Sequence, residues 1–160
     1  MDKQKNKIIE LRQKLLENYT DELVEKIIEA NNVVIDEFCD YLIKNGLSKK
    51  TVDKHTDNVD TFANYYLTTY DYTGTIFDGY KSFDDFFGYW LITKYIGCSK
   101  TLINDMISSM KKFYSFLFTK KYINQDEADL AFIYLKEGKE EWLEQLEMFF
   151  NGTYYSQFDW

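Results

Sequence analysis

Apolar side chains return every three or four positions along most of this chain, the period of helices that seat one face on a core. The first such stretch, about Asp2 to Glu17, sets Ile8, Leu11, Leu15 and Leu16 opposite a face of Lys, Glu and Gln. A second, about Asp21 to Lys44, carries Leu23, Ile27, Val34, Phe38, Tyr41 and Leu42. The polar pair Asn31-Asn32 is a candidate interruption of it, and Asn45-Gly46 supplies a stop where glycine suits a left-handed cap. Ser48 is expected to cap a third helix, to about Thr68, whose stripe of Val52, His55, Val59, Phe62 and Tyr66 steps by 3, 4, 3 and 4 residues.

A loop from about Thr69 to Lys81, rich in Tyr, Asp, Thr and Gly, separates this helix from the next. There Ser82 reads as a cap, with an acid three positions on, and Phe83, Phe86, Phe87, Trp90 and Leu91 face inward. Gly97 is expected to end that helix, and Ser99 to open the longest one, to about Lys121, with Ile103, Ile107, Met110, Phe113, Tyr114 and Leu117 as its buried stripe. Asn124 with Glu127 has the spacing of a capping box. Gly138 then divides that helix from a last acidic one, about Lys139 to Phe150, before Asn151-Gly152 turns into an aromatic tail. With no proline in 160 residues and no strand-like alternation, the pattern predicts an all-α helical bundle.

Length and composition sharpen this picture. A chain of 160 residues that is 45% hydrophobic builds one core, so residues 1–160 are expected to form a single domain, and 19% aromatic content excludes disorder. The most apolar stretch, Phe86 to Ile92, is far short of the roughly 20 residues that cross a bilayer, so no membrane association is expected. Two cysteines, Cys39 and Cys98, and one histidine, His55, match no metal-ligand spacing, and neither metal nor other cofactor is expected. The start of the chain is charged, with no apolar leader, and the expected location is the cytoplasm with thiols reduced. Cys98, just before a helix start, is a candidate for a lowered thiol pKa.

A net charge of −8 argues against a surface that is basic throughout, but the acids are unevenly placed. Residues 37–123 hold 11 basic and 10 acidic side chains, whereas 124–160 hold 2 and 9. The acidity belongs to the C-terminal part, and a local basic surface in the middle survives the average.

Two segments carry a family likeness. In FCDYLIKNGLSKKTVDKHTDNVDTFANYYL, Phe38, Tyr41, Leu42, Gly46, Leu47, Ser48, Thr51, Val52, Val59 and Phe62 form a pattern of apolar and capping positions. In LINDMISSMKKFYSFLFTKKYIN, the pattern is Ser108, Ser109, Met110, Lys111, Phe113, Tyr114 and Leu117. With the stretch between them, residues 37–126 resemble the N-terminal SAM-like, or core-binding, domain of tyrosine recombinases and phage integrases. The likeness leaves 1–36 as an N-terminal helical extension and 127–160 as an acidic, aromatic C-terminal one. It departs from the family where Gln125 follows Asn124 in place of proline, and where Asp105 stands at a position that is often basic. A recombinase also needs an arginine pair beside a tyrosine nucleophile, and this sequence has one arginine, Arg12. No catalytic activity is expected.

What the resemblance implies is a clamp on double-stranded DNA, through helix starts and basic faces that favour phosphate. The candidates are Lys49, Lys50 and Lys54 after the Ser48 cap, Lys100 after the Ser99 cap, and Lys111 and Lys112 on the long helix. Scarce arginine argues against guanine readout, so binding should be weak and driven by the phosphate backbone. The alternative is an interaction module whose acidic C-terminal part docks on a basic protein partner, or inhibits as a DNA mimic, using Trp142, Phe149, Phe150, Tyr154, Tyr155 and Trp160. A remnant of a truncated integrase is a third reading. Partner identity and oligomeric state are not legible in the sequence.

Overall fold

The computed structural model describes residues 2–158, and their regular structure is entirely helical. Six helices follow in order: α1 (Asp2–Glu17), α2 (Asp21–Lys44), α3 (Lys49–Asp60), α4 (residues 83–93), α5 (Lys100–Thr119) and α6 (Gln125–Phe150). α1 packs on α2, α2 on α3, α3 on α5, and α5 on α6, which also covers α4. One contiguous core runs from Ile8 to Tyr154 and takes in side chains from all six helices.

Local chemistry sets several of the boundaries. Thr20, Ser48 and Ser99 each accept the backbone N–H three residues on, and Asn124 and Glu127 form a reciprocal capping box. Gly46 follows α2 at φ +82°, the left-handed conformation that a side chain would strain.

Other boundaries differ from the sequence pattern because tertiary contacts decide them. α2 runs unbroken through Asn31-Asn32. Asn31 donates across the interface to Asn64 Oδ1 at 3.0 Å and to the Ala63 carbonyl at 3.3 Å, rather than competing for its own backbone. Ser82 caps nothing: a 3₁₀ turn, Gly79–Ser82, leads straight into α4, and the serine hydroxyl donates to Asp71 at 2.8 Å. α4 ends at Thr93, ahead of Gly97, as the Lys94 and Tyr95 amides both close on the Trp90 carbonyl. Nor does Gly138 divide α6. It lies under the Trp142 ring, where a Cβ would stand 2.1 Å from the indole, so glycine admits the ring without ending the helix.

Two π-helical segments lie in an aromatic-rich part of the bundle. α3 continues as a π-helix over Thr61–Tyr70, and the centre of α4 is π-helical over Phe86–Trp90. Thr68 and Thr69 hydroxyls donate to carbonyls four residues back, a competition that loosens an α-helical ladder. The two segments meet ring to ring, with Phe86 lying 4.8 Å from Phe62 and 4.9 Å from Tyr66, both near edge-to-face. The Arg12 guanidinium, only 3% exposed, reaches from α1 to donate to the Leu67 carbonyl in the first π-helix. Burial brings this guanidinium down to about 10, against the pull of Asp78 and Asp71, so it stays charged at neutral pH. A cation suits the negative end of a helix.

Gly138→Ala tests the closest of these contacts. Helix propensity favours alanine by about 1 kcal/mol, but Trp142 is stacked on Phe87 at 4.4 Å and held by Asp84, so it has nowhere to move. The expected outcome is a net loss of stability, on the order of 1–2 kcal/mol, in urea unfolding. A variant as stable as the parent would show that the ring moves aside freely.

Candidate nucleic-acid interface

The two helices that carry the six candidate lysines start alike. α3 and α5 are capped by serine and have no acid in the first turn, whereas α2 begins with Asp21 and Glu22, and α6 with Asp126 and Glu127. Lysine beside exposed helix-start amides raises the local positive potential, which disfavours the helix alone and favours a bound phosphate.

Half of the expected lysines are nonetheless matched by acids. Lys49 pairs with Asp53 at 2.8 Å, and Lys54 with Asp105 across the α3–α5 interface at 3.6 Å. Both pairs are solvent-exposed and hold their lysines only loosely. Lys100 borders a groove with Glu140, Glu144 and Glu147, so the acidic side of α6 faces the start of α5. Lys50 is exposed.

Lys111 and Lys112 lie elsewhere, on the rim of a groove of about 390 Å³ that is shared with Tyr41 and Leu47. Lys111 and Ser115 also border a second groove, of about 480 Å³, whose other wall carries Lys136 and Lys139. Four lysines therefore follow two adjoining grooves on either side of α5, one against α2 and one against α6. Among the described residues none of the four makes an ion pair within 4.0 Å. Lys136 and Lys139 escape a reading by segment charge, since they are the two bases in a strongly acidic stretch. The signal was the spacing Phe132, Leu135, Lys136, Lys139, which lies on one face only if the helix continues through Gly138.

The aromatic candidates divide by burial. Trp142 is 1% exposed, stacked on Phe87, with its indole N–H donating to Asp84 Oδ1 at 3.0 Å. Tyr154 is 2% exposed and donates to the Gly88 carbonyl at 2.7 Å. Both belong to the core, which corrects their reading as partner-facing rings: α6 seats Trp142 against α4, and the C-terminal turn folds Tyr154 back onto Gly88. Phe149, Phe150 and Tyr155 are exposed, Phe150 at 67%, and Trp160 lies outside the described residues.

Of two further side chains, His55 lies in the interior and Cys98 is half-buried. His55 Nδ1 shares a 2.8 Å hydrogen bond with Ser109 Oγ, to which Asn58 also donates at 2.9 Å. Ser109, fully buried, donates back to the Asp105 carbonyl, so the pair joins α3 to α5 instead of presenting a nucleophile to solvent. Burial pushes the Cys98 thiol up to about 11, against a smaller opposing pull from the Ser99 amide, and so the thiol is not the lowered one that its place before a helix start suggests. Cys39 and Cys98 are free. Among the described residues, no group of three or more His, Cys, Asp or Glu side chains is arranged to hold a metal ion, and no helix is long and apolar enough to cross a membrane.

The His55 contact makes stability depend on pH. Burial, then Lys54 and Lys112, lower its pKa below 6.5, with Asp105 opposing. The unfolded chain therefore binds the proton first, and stability falls as pH drops through about 6.5. Asp71, which burial would raise but hydrogen bonds from Thr73 and Ser82 hold below 3.8, titrates outside that window. The urea midpoint is expected to decline between about pH 7.5 and 5.5 in the parent, and less in His55→Asn; parallel slopes would show that the histidine titrates as if unfolded. No family model, curated protein or solved structure matches the chain, so the side chains themselves carry the functional reading.

Proposed function

We propose that this protein is a non-catalytic, DNA-associating helical module that holds duplex DNA, or steadies a DNA-acting complex, through phosphate contacts along the two grooves that flank α5. The observation that carries this reading is the run of Lys111, Lys112, Lys136 and Lys139 without a carboxylate partner among the described residues. It agrees with the resemblance of residues 37–126 to an integrase SAM-like domain, but it shifts the contact surface toward α6. Sequence readout has little support, because the one arginine is buried against Leu67 and cannot reach a base edge. Binding through phosphates alone is weak, strongly dependent on salt and indifferent to sequence. The net charge of −8 adds long-range repulsion that limits affinity further.

A second reading has its own observation. Glu140, Glu144 and Glu147 border a groove with Phe150, an acidic and aromatic surface suited to a basic protein partner.

Fluorescence anisotropy with a labelled duplex, begun at about 20 mM salt where screening is least, separates the two. The DNA reading predicts binding that weakens with salt at a log–log slope of about −3 to −4, as four phosphate contacts would give. Lys-to-Glu changes at 111, 112, 136 and 139 together should abolish it, whereas the same change at Lys49 and Lys100 should reduce it less. No binding at the lowest salt would overturn the DNA reading and favour the basic partner.

A further inference from the structure

Away from the lysine grooves, α4, α6, the C-terminal turn and Tyr70 at the end of the first π-helix line an open pocket of about 560 Å³. That is within the roughly 300–1,000 Å³ of small-molecule sites. Tyr70, Tyr89, Tyr155 and Phe158 supply aromatic walls, and Asp84 and Asp85 supply two carboxylates.

Each carboxylate is positioned from behind by a buried aromatic donor. Tyr66 donates to Asp85 Oδ2 at 2.6 Å, and the Trp142 indole donates to Asp84 Oδ1 at 3.0 Å. Neither acid has a basic partner within 4.0 Å among the described residues. The floor is built with equal closeness: Tyr154 donates to the Gly88 carbonyl, and a Cβ on Gly88 would meet Gln145 Oε1 at 2.4 Å. Burial and the nearby Asp85 both hold the Tyr70 hydroxyl above its ordinary value, as expected beside uncompensated negative charge. The Tyr89 ring already meets a cation, the Lys94 ammonium, 5.8 Å from its centre.

Ring faces carry negative quadrupole charge, so several of them beside two carboxylates favour a cation. A neutral apolar guest would leave the acids desolvated and unpaired, and an anion would be repelled. A hydrated metal ion gains little from ring walls, whereas an alkylated ammonium offers positive charge on an apolar surface. We propose that this pocket is a binding site for an alkylammonium group, either a free small cation such as choline or the methylated side chain of a lysine.

Calorimetric titration of the whole protein with choline chloride tests this, with 3,3-dimethylbutanol as the uncharged analogue of the same shape. Choline should bind, and the alcohol should bind at least about 10-fold more weakly. Tyr155→Ala removes an exposed wall that lies outside the six α-helices. Asp84→Asn keeps an acceptor for the Trp142 indole while removing the charge. Each should weaken choline by about 3- to 30-fold. A peptide bearing one trimethylated lysine identifies the source: tighter binding than choline assigns the site to a side chain, and weaker binding assigns it to the free cation. Absence of heat for both cations, equal affinity for the alcohol, or unchanged affinity in both variants would overturn the proposal.

Discussion

The Tyr66 side chain is the joint between the two π-helical segments. It is fully buried in the π-helical continuation of α3, and its ring touches Phe62, Tyr70, Phe86 and Trp90. One hydroxyl proton faces two carboxylates, Asp85 at 2.6 Å and Asp71 at 3.3 Å, and the shorter contact takes it. Asp71 is served instead by Thr73 and Ser82, which fastens the loop of residues 71–82 over the same ring. Burial, followed by the charge and hydrogen bond of Asp85, drives the phenol far above its ordinary pKa, so it remains a donor at any physiological pH. Four residues apart, Phe62 and Tyr66 share one face of the helix, and both rings meet Phe86.

The aromatic pocket follows from that joint, and the lysine grooves follow from the unbroken course of α6. Tyr66 orients Asp85, and Trp142 orients Asp84, so the acids of the aromatic pocket are placed by the core and not by solvent. α6 can lie along α4 and α5 at once because Gly138 and Gly88 let Trp142 and Gln145 come in closely. The same continuous helix sends Lys136 and Lys139 toward Lys111 on one side, and Glu140, Glu144 and Glu147 toward Lys100 on another. A segment with 2 bases and 9 acids thus contributes to a basic groove, because helical phase sorts charge by face where a segment total cannot.

Features set by neighbours in sequence were legible there. The Ser48, Ser99 and Asn124 caps, the left-handed Gly46 and the buried stripe from Ile103 to Leu117 all follow from spacing alone. What the sequence concealed depends on partners far along the chain. Asn31 looks like a helix breaker until Asn64 receives its amide, Gly138 looks like a boundary until Trp142 covers it, and Tyr154 looks exposed until Gly88 accepts its hydroxyl. The π-helical segments have no simple period to betray them. Of the candidate interface, Lys111 and Lys112 could be named from the long helix, but the two lysines opposite them needed α6 to be continuous.

A double-mutant cycle of Tyr66→Phe and Asp85→Asn, read by urea unfolding, tests most directly whether this hydroxyl joins the two π-helical segments. A buried donor to a charged acceptor should give a coupling energy of about 1–3 kcal/mol, with Tyr66→Phe alone costing a similar amount. A coupling within about 0.3 kcal/mol of zero, with Tyr66→Phe as stable as the parent, would mean that ring packing alone holds the joint and that the hydroxyl does not place Asp85.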